Sequence, residues 1–257
     1  MPLRIAFDLD GVLADMESEL VHQAEVVFGE RMTRKLLERA EALGPQTQEP
    51  LSDDTTDATE PTGAANDTLA AMTPPLVKLN MTSRQRRRLW RHIATIENFW
   101  ELLTEIEPGT IARLARIAAE RQWEIIFLTK RPQTTGATAQ VQSQRWLESK
   151  GFSLPSVYVV QGSRGRIAAA LGLDIVIDDR PENCLDVVAD SMAKAVLVWR
   201  EDEKTLPAAA NRLGIGVTHS VMECLDILVT VDSKPPLDST IFGRVKRFLG
   251  LKEAADI

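Results

Sequence analysis

Residues 1–15 read MPLRIAFDLDGVLAD. The apolar run Ile5-Ala6-Phe7 meets two aspartates, Asp8 and Asp10, and then Gly11. A short apolar run bounded by turn residues predicts a buried strand. Side chains alternate along a strand, so Asp8 and Asp10 project in a similar direction as the chain leaves it. A turn after a strand accounts for one aspartate beside a glycine. It accounts poorly for two.

Working outward, four further apolar runs rich in β-branched residues are expected as strands, at 124–129, 157–161, 174–178 and 195–199, beside the first at 3–8. Helical patterns separate them. The stretch from Gly109 sets Ile111, Leu114, Ala115 and Ala118 along one face, and a second helix is compatible with the stretch from Thr134 to Gly151. This alternation predicts an α/β fold, a Rossmann-like parallel sheet of about five strands with helices on both faces. Ligands of such sheets bind beyond the carboxyl ends of the strands.

About a hundred residues separate the first strand from the helix at Gly109, far beyond an ordinary connection. They are expected to form an inserted α-helical cap, 16–103, leaving 1–15 and 104–232 as the core and 233–257 as a tail. Within the cap, 16–43 reads as one long helix. The stretch from Thr82 reads as a second, with Ser83 as a cap and Leu89, Ile93 and Ile96 on one face. Between them, 44–75 holds six acidic residues, no Lys or Arg and no aromatic, a composition that does not bury enough surface to order itself. Arg84, Arg86, Arg87, Arg88 and Arg91 then crowd one helical stretch. They read as a solvated face, with the alternative that one of them holds an anionic substrate. The stretch from Ser239 reads as an amphipathic helix that docks onto the domain, with membrane-surface binding as the weaker alternative because few basic residues accompany it.

The net charge of −7 argues against a nucleic-acid polymer as partner, because phosphate backbones attract basic proteins. Two cysteines, Cys184 and Cys224, show no metal-ligand spacing, and no membrane span or signal peptide is expected. The expectation is a protein of the reducing cytoplasm.

A second acidic pair, Asp178-Asp179, ends the run Ile175-Val176-Ile177. Two such pairs at the carboxyl ends of two parallel strands would face one crevice. Crowded carboxylates repel and take up protons, and a hard cation such as Mg²⁺, which favours a few carboxylates with water and phosphate oxygens, removes the conflict. Thr129 closes a third run, and GSRGR supplies Arg164 and Arg166 beside glycines, a cation for phosphate.

In this order, DLDGVLAD, FLTKR, the basic residue of GSRG and IVIDDRPEN resemble the four motifs of haloacid dehalogenase-like (HAD) phosphohydrolases. ENFWELLTEIEPG, QRWLESKGF and IDDRPEN are similar to segments of the 5′(3′)-deoxyribonucleotidase branch. The resemblance implies Asp8 as nucleophile, forming an aspartyl-phosphate, and Asp10 as general acid and base. It implies Mg²⁺ held by Asp8, the backbone carbonyl of Asp10 and Asp179, with Asp178 acting through bound water. Thr129 and Arg164 would bind the phosphoryl group. Arginine stands where the superfamily usually carries lysine, and Arg166 is the alternative for that place. Lys130, which replaces a small polar residue of the branch, is a further phosphate-binding candidate. Phe99 and Trp100, where the cap re-enters the core, are candidates for stacking on a nucleobase, with packing as the other reading. The implied substrate is a small phosphorylated metabolite, a (deoxy)nucleoside 5′-monophosphate, with a sugar phosphate as the alternative. A non-catalytic binding module is the other class considered; it would have no use for the four aspartates and Thr129.

Overall fold

In the computed structural model, residues 2–43 and 79–233 are described; the acidic 44–75 stretch and the amphipathic stretch from 239 lie outside them. The chain forms two units. One holds the residues up to Ala14, Glu105–Thr129 and the described residues from Leu147 on; the other holds Asp15–Thr104, as far as described, and Lys130–Trp146. The second unit therefore includes 130–146 in addition to the inserted stretch, a difference from the expected boundaries.

The first unit is built on six parallel strands: β1 (Arg4–Asp8), β2 (Glu124–Thr129), β3 (Ser156–Val159), β4 (Ile175–Asp178), β5 (Lys194–Val198) and β6 (Gly216–Thr218). Their order is β3-β2-β1-β4-β5-β6. The expected count of about five misses β6, whose Gly-Val-Thr carries too little apolar signal to read as a strand. Strands progress outward from β1 on one side and from β4 on the other, so the order reverses between these two. In open parallel sheets that reversal opens the crevice in which ligands bind. The register sets Ile5 against Ile125 on one side and Ile175 on the other, and Ile5, Ala6 and Phe7 are fully buried.

Helices follow the strands as α4 (Thr110–Arg121), α6 (Arg164–Leu171), α7 (Pro181–Asp190), α8 (Ala208–Arg212) and α9 (Val221–Ser233). The others are α1 (Met16–Phe28), α2 (Glu30–Leu43), α3 (Ser83–Thr95) and α5 (Ala139–Ser149). On one face of the sheet, Ala6, Leu128, Val176, Ala195 and Leu197 bury against Ala168 of α6, Cys184 and Val187 of α7 and Ala210 of α8. Alternation sends Ile5, Phe7, Phe127 and Ile177 to the opposite face, where Phe127 meets Phe152 edge to face at 4.9 Å. Cys184 and Cys224 are buried free thiols.

In the second unit, the expected single helix over 16–43 is two. Asp15 caps α1, its carboxylate accepting from the Ser18 amide at 3.0 Å. Gly29 then breaks the run at φ +80° and ψ 151°, a conformation that a side chain resists. For α3 the cap is Thr82 rather than Ser83. Its hydroxyl accepts from the Gln85 amide at 3.2 Å while the Gln85 side chain accepts from the Thr82 amide at 2.9 Å, a reciprocal capping box. The helix stops at Thr95, with Ile96 already extended. A short 3-10 turn, Phe99–Glu101, follows. Asn98 enters the left-handed region at φ 51°; its amide donates to Thr135 O at 2.8 Å and its Oδ1 accepts from the Ala137 amide at 2.9 Å. The helix expected from Thr134 begins only at Ala139, because the chain before it is spent on these contacts.

Candidate active site

β1 and β4 lie side by side and both end in aspartate, so Asp8 and Asp178 reach the same edge of the sheet. Beyond β1, the Leu13 and Ala14 amides donate to Leu9 O and the Gly11 amide donates to Ala14 O at 3.1 Å. This tight turn needs Gly11 at φ +86°. A Cβ there would lie 2.0 Å from Asp179 Oδ2. Gly11 thus permits both the turn and the close approach of the Asp179 carboxylate.

Arg164, the first residue of α6, is 2% exposed. Its Nη2 pairs with Asp8 Oδ1, and its Nε stands 3.7 Å from Asp178 Oδ2. Nε and Nη1 are buried without a hydrogen-bond partner. Ser163 caps the helix, its hydroxyl accepting from the Arg166 amide at 3.3 Å. At Gly165 a Cβ would come within 2.1 Å of Asp186 O, so the missing side chain lets α6 lie close on α7. Arg166, the alternative for the basic position, has a side chain 85% exposed and 4.0 Å from Asp190. It faces solvent, and the guanidinium at the carboxylates belongs to Arg164.

Asp178 is buried and held from several sides. Asn183 Nδ2 donates to both of its oxygens at 3.0 Å, and the Arg180 amide donates to Oδ1 at 2.9 Å. Burial pushes its carboxyl above the ordinary range, against the pull of Arg164 and these donors. Asp179 is different. Its Oδ1 is buried with no hydrogen-bond partner. Burial, then the charges of Asp178 and Asp8, push its carboxyl well above the ordinary range. Asn183 and its anchoring of Asp178 were not anticipated, although the residue stands in the IDDRPEN motif.

An orphaned, buried carboxylate oxygen beside two more carboxylates fits a hard cation. Mg²⁺ takes one or two carboxylates with backbone oxygen and water. Among the described residues no three His, Cys, Asp or Glu side chains form a ready cage, which such a coordination does not require. Thr129 Oγ1 donates to Asp10 Oδ2 at 3.1 Å. The hydroxyl expected to contact phosphate is thus also bound to the expected acid.

The structure gathers Asp8, Asp10, Thr129, Arg164, Asp178 and Asp179 in the first unit. Lys130, Phe99 and Trp100 belong to the second. Phe99 and Trp100 are each 0% exposed. Trp100 Nε1 donates to Pro132 O at 2.9 Å, Phe99 packs edge to face on its ring at 4.9 Å, and Trp90 stands 6.4 Å away. The guanidinium of buried Arg131 lies 4.9 Å from the Trp100 ring centre and 5.6 Å from that of Trp146. Trp146 in turn donates to Leu103 O at 2.7 Å. With their surfaces consumed by packing, Phe99 and Trp100 offer no exposed face to a nucleobase, and the stacking expectation is corrected.

No family model and no curated protein matches the chain. Solved structures do. A HAD-family hydrolase from Deinococcus radiodurans R1, solved with bound phosphate and sodium, aligns with a TM-score of 0.52 at 18% identity, covering 90% of this chain and 96% of its own. A candidate β-phosphoglucomutase from Thermotoga maritima aligns at 0.49 and 17%, covering 89% and 99%. A hydrolase from Pseudomonas syringae aligns at 0.48 and 15%, covering 89% and 98%. The chain has the α/β Rossmann-like fold of HAD-family hydrolases.

Proposed function

We propose that the protein is a Mg²⁺-dependent phosphomonoesterase that works through an aspartyl-phosphate on Asp8. One observation carries the reading: Asp8 and Asp179, the latter with a buried orphan oxygen, share the end of β1 and β4 with the buried guanidinium of Arg164. Asp8, the Asp10 backbone carbonyl and Asp179 would hold the cation, which supplies charge neutralisation for a phosphoryl group; Asp178, already bonded to Asn183, would act through water.

An Asp8 oxygen forms a bond to phosphorus as the bond to the leaving oxygen breaks. Asp10 gives that oxygen its proton. Thr129 donates to Asp10 Oδ2, a hydrogen bond that helps fix the orientation of the carboxyl group. Asp10, now a carboxylate, takes a proton from water as the water oxygen bonds to phosphorus, and Asp8 leaves as a carboxylate. Arg164 keeps its charge throughout. Its partnerless Nη1 is a donor suited to a phosphoryl oxygen, and such positioned charges supply most of the catalysis in phosphoryl transfer.

The substrate class proposed is a (deoxy)nucleoside 5′-monophosphate. It rests on the likeness of ENFWELLTEIEPG and QRWLESKGF to the deoxyribonucleotidase branch. With Phe99 and Trp100 packed internally, base recognition falls to other residues. The test is phosphate release from mononucleotides, sugar phosphates and p-nitrophenyl phosphate, with Mg²⁺ or chelator, beside Asp8→Asn. Metal-dependent release that disappears in Asp8→Asn is expected, with mononucleotides preferred. Absence of release from every ester refutes the phosphatase; preference for sugar phosphates refutes the nucleotide assignment alone.

A further inference from the structure

Arg200 lies just beyond β5 and has no part in the four motifs. Its Nη1 donates to Gly11 O at 2.6 Å, and its Nη2 donates to Val12 O at 3.1 Å and to Glu107 Oε1 at 2.7 Å. Glu107 also accepts from the Val221 and Met222 amides at 2.9 and 3.0 Å, the first turn of α9. A carboxylate is favoured at a helix N-terminus. One guanidinium and one carboxylate therefore tie four places together: the turn after Asp10, the end of β5, the segment following Glu105 and the start of α9.

The turn they grip is the one that aims Asp10. The Gly11 amide is taken by Ala14 O, the Gly11 carbonyl by Arg200, and the Gly11 Cα rests against the Asp179 carboxylate. Both peptides flanking Gly11 are thereby fixed, and with them the direction in which Asp10 leaves the strand. A further tie reinforces this, since the Ile106 amide donates to Leu13 O at 3.0 Å.

We propose that Arg200, braced by Glu107, is a positioning residue for the general acid: it acts through the Gly11 and Val12 carbonyls to hold Asp10 where the leaving oxygen needs its proton. The planar fork of a guanidinium serves two carbonyls and a carboxylate at once, whereas a lysine ammonium is a point donor on a flexible stem. A positioned acid matters in proportion to the leaving group's need for a proton. The inference rests on the phosphatase reading.

The test compares an alkyl phosphate, whose alkoxide must be protonated, with p-nitrophenyl phosphate, whose nitrophenolate departs as an anion. In Arg200→Lys, kcat for the alkyl phosphate should fall about 10-fold or more, and for p-nitrophenyl phosphate by no more than about threefold. Glu107→Gln, which keeps an oxygen for Arg200, should shift the two rates in the same unequal way but less. Thermal unfolding of both variants shows that folded protein is being compared. Equal losses on both esters, or none, overturn the positioning role while leaving the phosphatase standing. A wild-type protein inactive on both overturns the phosphatase reading, and the inference with it.

Discussion

Arg164→Met removes one buried cation and leaves the side-chain volume nearly filled. In the wild type this guanidinium serves Asp8 directly and Asp178 at 3.7 Å, and both carboxylates are almost wholly out of water. Breaking a buried pair by deleting one partner costs about 3–5 kcal/mol, because the remaining charge stays desolvated. At about 2–4 °C per kcal/mol for a protein of this size, Tm should fall by about 6–20 °C. The loss has a direction in pH. Burial already raises the Asp178 carboxyl and Arg164 pulls it down, so without Arg164 it rises further. A raised carboxyl keeps its proton in the folded state where the unfolded chain has lost it, and stability falls as pH climbs through that interval. The Tm gap between wild type and variant should be widest at pH 7–8 and narrow towards the ordinary carboxylate range. Differential scanning fluorimetry across that range in metal-free buffer measures it. A gap below about 2 °C at neutral pH, or one that stays constant as pH falls, would refute the electrostatic account of these residues.

Three other outcomes are expected. Gly165→Ala puts a Cβ within 2.1 Å of Asp186 O, so α6 must lift from α7; a cost of about 1–3 kcal/mol in urea unfolding should accompany a drop in phosphatase kcat as Arg164 shifts. Thr82→Ala removes the capping box of α3 and should cost about 1 kcal/mol, read by the same unfolding curve with no change in turnover of p-nitrophenyl phosphate. Burial opposes the charge of Glu107, and Arg200 with the two α9 amides overcomes it, holding the carboxyl below its ordinary range. Its contribution is present above that range and lost as pH falls through the lowered value, so the Tm deficit of Glu107→Gln should be full at pH 7 and vanish in acid.

The strands that carry the site were legible because each is a run of apolar residues stopped by aspartate or threonine, and β1, β2 and β4 end where those residues stand. Asp15 stands directly before α1, where an aspartate side chain caps a helix. Gly29 carries no such signal, since the helical spacing continues on both sides of it and composition does not report a backbone angle. Phe99 and Trp100 were read by chemical type and by their place at the end of the inserted stretch. Whether an aromatic stacks on a ligand or on a neighbouring guanidinium depends on depth, which sequence spacing does not encode. Arg200 left no local sign: its carbonyl partners are almost two hundred residues earlier, and no periodicity joins them.

The bond from the Asp15 amide to Thr104 O, 2.9 Å long, bears on the order of assembly. β1 is an inner strand whose neighbours arrive late in synthesis, the first at Glu124 and the second at Ile175. Closing an unstructured loop from Asp8 to Glu124 costs about 1.3 kcal/mol more than closing the one between β2 and β3. At about 5–20 residues per second, β1 waits about 10–30 s for both partners, with the apolar run Ile5-Ala6-Phe7 unpaired. If Asp15 and Thr104 are joined first, the inserted chain is bypassed, and β1 meets β2 across about 27 residues instead of more than a hundred. A weakened join at this neck would then show itself as slow refolding and loss of chain to aggregation.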